Sequence, residues 1–108
     1  MRRLSKAMTT HTVIVQDFLR KGGRGEVHAD PRTVKDVWVV DAQQIVRTAD
    51  GAEITSNTQV FTNLDDYFPI GSLVTVWAGE PDERTARVAQ VGTFRHQRLP
   101  QNRVHYLE

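Results

Sequence analysis

The chain has 108 residues, 39% of them hydrophobic and 25% charged, with seven glycines and no cysteine. A chain of this length buries only about two thirds of its unfolded surface, so it holds one modest core and no second catalytic domain. The missing cysteine excludes a disulfide framework, a thiolate zinc site and a cysteine nucleophile, and the net charge of +1 lacks the overall basic excess of a nucleic-acid coat.

The amino end, MRRLSKAMTTHT, carries charge with no apolar run behind it, and nowhere do about eighteen apolar residues follow one another. Residues 1–11 are therefore expected to form a flexible basic arm, without a signal peptide or membrane span, and residues 12–108 a single domain made in the cytoplasm. From residue 12 onward the hydrophobic period is two, in residue types that favour strands. The predicted strands are TVIVQDFL (12–19), VKDVWVV (34–40), QQIVRT (43–48), AEITS (52–56), TQVFT (58–62), SLVTVWA (72–78), ARVAQVGTF (86–94) and NRVHYLE (102–108).

The first two strands are separated by LRKGGRGEV (19–27), with three glycines and three cations. A phosphate loop needs a glycine followed by Lys and Ser or Thr at the start of a helix. Here Gly25 precedes Glu26 and Val27, so the expectation is a mobile surface loop. Asp50 and Gly51 predict a two-residue hairpin turn, and GEPDER (79–84) and LPQN (99–102) predict two more turns. In SLVTVWA, Val74, Val76 and Ala78 share one face and Leu73, Thr75 and Trp77 the other; both are apolar enough to predict a strand covered on both sides. Gly92 predicts a bulge or barrel corner. Phe68 and Ile70 are expected to face the core, as are Trp38, Trp77 and Phe94. Short strands at this spacing predict an all-β fold, a small barrel or compact sandwich with long loops.

Charge is unevenly placed. Residues 1–40 carry eight Lys or Arg against four Asp or Glu, residues 41–83 one against eight, and residues 84–107 five against none. Opposite poles suit the packing of identical copies at least as well as contact with nucleic acid. The four histidines, His11, His28, His96 and His105, show no metal-ligand spacing, and the neighbours Asp65 and Asp66 suit a turn better than acid and base chemistry. No nucleophile motif stands out, so neither enzymatic activity nor a cofactor is expected. Lys21 and Arg24 with Arg95, Arg98 and Arg103 could form a basic face, which keeps a small nucleic-acid-binding barrel as the alternative reading.

The order of these elements carries a further signal. An early strand and a Gly-rich loop lead into DVWVVDAQQIVRTADGAEITSNTQVFTNLDDYFPIGSLVTVWAGE, and the chain closes with ARVAQVGTFRHQRLPQNRVHYLE. Over about residues 12–108 this pattern resembles the small head-closure proteins, or head-to-tail stoppers, of tailed bacteriophages. The resemblance implies a virion protein of the neck that forms a homo-oligomeric ring, meets the portal or adaptor above and the tail tube or tail terminator below, and closes the DNA-filled head. It implies no cofactor and no membrane, only proximity to packaged DNA. An early loop in that family can line the channel; here the candidate is the acidic segment 41–57 with Asp41, Asp50, Gly51 and Glu53, since carboxylates in a lumen repel phosphate. Lys21, Gly22, Gly23 and Arg24 are the candidate assembly loop, and Arg95, Arg98 and Arg103 the candidate basic interface. Another neck role, such as tail terminator, fits the same pattern.

Overall fold

A computed structural model describes residues 9–48, 50–95, 98 and 101–108. The described residues form ten strands and no helix: β1 (His11–Gln16), β2 (Phe18–Gly22), β3 (Gly25–His28), β4 (Arg32–Val40), β5 (Gln44–Arg47), β6 (Glu53–Ser56), β7 (Thr58–Thr62), β8 (Leu73–Val76), β9 (Arg84–Phe94) and β10 (Asn102–Leu107). Six of them close into an antiparallel barrel in the order β1, β4, β7, β10, β9, β8, while β2 with β3 and β5 with β6 form separate two-stranded hairpins. Closure leaves the barrel itself with no free edge. Most of the expected arm lies outside the described residues, but its last residue, His11, already belongs to β1, and Thr9 is buried.

The interior follows from the period of two. Val13 and Val15 of β1, Val34, Val37 and Val39 of β4, Val60 of β7, Val74 and Val76 of β8, Val88 of β9 and Leu107 of β10 make one buried cluster with Phe68. Nine of these eleven side chains are valine. A narrow barrel suits them, because a branched Cβ fills the pleat and loses little rotamer freedom in a strand. Burying each contributes about 1.5–3 kcal/mol. The alternation breaks once in β4: His11 pairs with Val37 and Val13 with Val34, so Lys35 and Asp36 together face a single residue of β1. Asp36 takes φ 60° at this bulge, a conformation Asp tolerates better than bulky residues do.

The link from β7 to β8 closes one mouth of the barrel. In the strand order these two lie three places apart, diametrically opposite in a ring of six, so residues 63–72 must cross the opening. Phe68 is lowered into it, fully buried, and stacks on the His105 ring at 4.3 Å between centroids. His105 is itself fully buried. Its Nε2 accepts from the Phe68 backbone N–H at 3.2 Å, which leaves the ring proton on Nδ1, facing the Val60 carbonyl at 3.2 Å. Arg103 completes this end, donating to the Leu64 carbonyl and the Thr93 hydroxyl with its guanidinium over the Tyr67 ring.

Several expectations are corrected by the barrel. Only Phe68 of the expected aromatic core is enclosed. Trp38 is half-buried against Phe61 of the neighbouring strand, Trp77 packs at the edge of the cluster, and Phe94 is 55% exposed. A six-stranded interior filled with valines has no space for them. Ile70 points outward because the crossing segment has no regular alternation after Pro69. The strand 72–78 is fully buried on one side only: Leu73, Thr75 and Trp77 on the outer side are half-buried, Thr75 meeting Thr85 there, Ala78 is exposed, and the strand ends at Val76, where Trp77 turns to φ 55°. The bulge expected at Gly92 falls at Ala89, since Tyr106 pairs with Gln90 and Leu107 with Val88. Gly92 instead sits flat against Val104, whose methyl would lie 3.1 Å from an added Cβ.

Candidate functional site

The segment 19–27 is not an irregular loop. It is the β2–β3 hairpin, with Lys21 opposite Glu26 and Gly22 opposite Gly25. The turn depends on Gly25, whose φ of 113° is open to glycine alone among the common residues. The base of the hairpin is pinned to the barrel. Phe18 donates its backbone N–H to Ser72 Oγ at 3.0 Å, His28 Nε2 meets the Gly71 carbonyl at 2.8 Å, and the Phe18 ring packs edge-on to His28. Gly71, at φ 97°, lies so close to the Phe18 ring that an added Cβ would stand 3.0 Å from it. Further out, Glu26 takes two contacts from Arg87, which also reaches Glu108 at 3.4 Å. The hydrogen bond from Arg87, and secondarily its charge, hold the Glu26 carboxyl below its usual range. With the base fixed in this way, Leu19, Arg20, Lys21 and Arg24 are presented to solvent.

The second hairpin, β5–β6, is tied back onto the outside of the barrel. Gln59 Nε2 donates to the Ala42 carbonyl at 2.8 Å, and Gln90 Nε2 to the Arg47 carbonyl at 3.0 Å. Its turn is longer than the two residues expected: Thr48 N donates to the Ala52 carbonyl and Gly51 N to the Thr48 carbonyl. Asp50 serves this turn, accepting from the Thr48 hydroxyl and the Ala52 N–H, contacts that lower its pKa, the Thr48 hydrogen bond most. Glu53 faces Arg47 across the strands at 3.3 Å. Ile45 stands 74% exposed on this hairpin.

Asp41 is set apart from the other acidic candidates. It sits where β4 leaves the barrel and accepts from Thr58 Oγ1 at 3.0 Å, from Trp77 Nε1 at 3.1 Å and from the Arg84 guanidinium. Desolvation, the largest single influence, pushes its carboxyl up. The hydrogen bonds from Arg84, Thr58 and Trp77 with the Arg84 charge outweigh it and hold the group below its usual value. Three chain segments are thereby knotted at this end of the barrel. Replacing Asp41 with Ala is expected to lower the unfolding free energy by about 1 kcal/mol, discounted because both ion-pair side chains are well exposed. Urea titration followed by tryptophan fluorescence measures the loss.

Beside this knot lies a groove of about 340 Å³ with Ile14, Thr33, Trp77, Ala78 and Glu80 among its walls. The Trp77 ring is braced edge-on against His11 at 5.0 Å, and His11 Nδ1 accepts from the Val39 N–H at 3.0 Å. Glu80, Asp82 and Glu83 crowd the adjoining turn, which is held by hydrogen bonds from Glu80 N to the Trp77 carbonyl, from Glu83 N to the Glu80 carbonyl and from Gly79 N to Glu83 Oε1. By sequence alone this stretch reads only as a turn. The signal available was its three carboxylates within four residues, followed by an Arg-bearing strand.

The candidate basic interface divides. Arg103 is spent on the barrel rim, whereas Arg95 and Arg98 are exposed at the connection from β9 to β10. His96 and the first half of the turn expected at 99–102 lie outside the described residues. Among the described residues, no group of three or more His, Asp or Glu converges as metal ligands would. Compared with protein-family models, curated proteins and solved structures, the chain has no match in any of the three.

Proposed function

We propose that this chain is a structural protein of the tailed-phage neck, forming a ring between portal or adaptor and tail that closes the filled head. The reading rests on the resemblance in element order. The observation that carries it in three dimensions is a closed barrel whose hairpins remain outside the core, one of them hydrogen-bonded to the barrel at its base with its charges facing solvent. Such a body has its own stability and spends its remaining backbone on contacts with neighbours. The β5–β6 hairpin, with Asp50, Gly51 and Glu53, remains the candidate for the channel wall. Asp41 would act there as the anchor at its base.

In the phage or prophage that encodes the chain, antibodies raised against it are expected to label the head–tail junction of tailed particles. Normal tailed particles assembled after the gene is disrupted would overturn the reading.

A second reading, a small nucleic-acid-binding barrel, is favoured by one observation: Arg20, Lys21 and Arg24 lie exposed on a two-stranded ribbon, a shape that a major groove admits. It requires DNA affinity that falls steeply with salt and falls again in the double variant Lys21→Glu, Arg24→Glu. Salt-independent or undetectable binding removes it.

A further inference from the structure

The two ends of the β1–β8 strand pair carry opposite chemistry. β1 and β8 run antiparallel, with Gln16 beside Leu73 and Ile14 beside Thr75. The carboxyl end of β1 leads into the basic hairpin, and the carboxyl end of β8 leads into the acidic turn. The base of the hairpin and the turn therefore lie at opposite ends of the same pair. On the hairpin an exposed leucine, Leu19, stands beside three exposed cations, Arg20, Lys21 and Arg24. At the far end the arrangement is inverted: a groove of mixed character, with Ile14, Trp77 and Ala78 among threonines in its walls, stands beside Glu80, Asp82 and Glu83.

We propose that these are the two halves of a head-to-tail contact between copies of this chain, with the β2–β3 hairpin of one copy seated on the Trp77 groove of the next. Leu19 packs on the Ile14 and Trp77 side chains of the groove, and the hairpin cations face the carboxylates of the 80–83 turn. Both halves are held before contact, the hairpin by Phe18, His28 and Arg87 and the groove by His11 and Asp41. Little ordering entropy is then lost on association. Because the two surfaces differ, the contact is heterologous and propagates, closing into a ring if the rotation allows. This deepens the ring reading above by naming its contact surfaces, and it rests on that reading for its biological setting.

Charge reversal tests it without reference to phage particles. In sedimentation velocity at about 50 mM salt the wild-type chain is expected to self-associate, and to dissociate as salt rises to about 500 mM and the Debye length shrinks. Lys21→Glu with Arg24→Glu should weaken association roughly tenfold or more, and so should Glu80→Lys with Asp82→Lys. Both variants should keep the wild-type circular dichroism, since none of the four side chains is buried. Mixed in equal amounts, the two variants should associate again, because each then offers the charge that the other lacks. A wild-type chain that stays monomeric at low salt overturns the proposal, as does a mixture that stays dissociated. Association that neither reversal disturbs overturns these surfaces while leaving the ring reading intact. Absence of the chain from the head–tail junction defeats the ring reading but not the contact.

Discussion

Lowering the pH from about 6.5 to about 4 is expected to cost this protein roughly 3 kcal/mol of stability through His105 alone. Burial is the main cause. Desolvation disfavours the imidazolium and, with the Arg103 charge, outweighs the opposing hydrogen bond to Val60, so the folded-state pKa falls to about 4 from an ordinary 6.5. The unfolded chain therefore takes up a proton in this window while the folded barrel does not. Stability is complete above pH 6.5 and declines down to about pH 4, where the folded ring also titrates. A protonated ring would put an N–H against the Phe68 N–H, two donors face to face, and displace the plug it supports. The carboxylates with lowered pKa, Glu26, Asp41 and Asp50, act at lower pH, because their contribution fades only below the ordinary carboxylate range. Urea unfolding at a series of pH values separates the two windows. A free energy of unfolding that stays level between pH 6.5 and pH 4.5 would refute the role of His105, and His105→Gln should flatten the slope there.

Phe68→Ala is expected to be the most damaging single truncation, at about 3–5 kcal/mol. Phe68 is the largest fully buried side chain, and it is delivered by an irregular segment with no strand pairing of its own. Removing the ring leaves a hollow at the barrel mouth and strips His105 of its stacking partner. For a small domain of marginal stability a loss of this size approaches the whole margin. Thermal melting followed by circular dichroism should show the midpoint falling by well over ten degrees, at about 4–8 °C per kcal/mol. Phe68→Leu should recover a large part of the loss. A midpoint unchanged in Phe68→Ala would mean that the core is sustained by the valines alone.

Much of the barrel was legible in the sequence, and the reason is local. A strand declares itself through alternation, and Val13–Val15, Val37–Val39 and Val74–Val76 each mark an inner face without knowledge of any neighbour. Turn chemistry is equally local, so the chain reversals near Gly51 and Gly79 stood out. The β2–β3 hairpin did not: its strands are short, charged and exposed, and composition alone reads them as a loop. What makes them strands is Phe18 and His28 gripping Gly71 and Ser72, residues more than forty positions away.

The candidate site shows the same division. Lys21 and Arg24 were visible as charges, and they are exposed as expected. Asp41 also looked like a solvent-facing carboxylate, yet it is committed to Arg84, Thr58 and Trp77 from two other parts of the chain. Arg103 looked like part of a basic face and caps the barrel instead. A charge count does not reveal whether a partner waits across the fold.

By itself, then, the sequence determined an all-β chain and most of its strand positions, because period and turn chemistry act over a few residues. Only the tertiary structure decided that six strands close while four stay outside, that Phe68 and His105 rather than the tryptophans fill the mouth, and that the basic and acidic segments lie at opposite ends of one strand pair. Those outcomes depend on register and closure, which bring together residues that no local pattern relates.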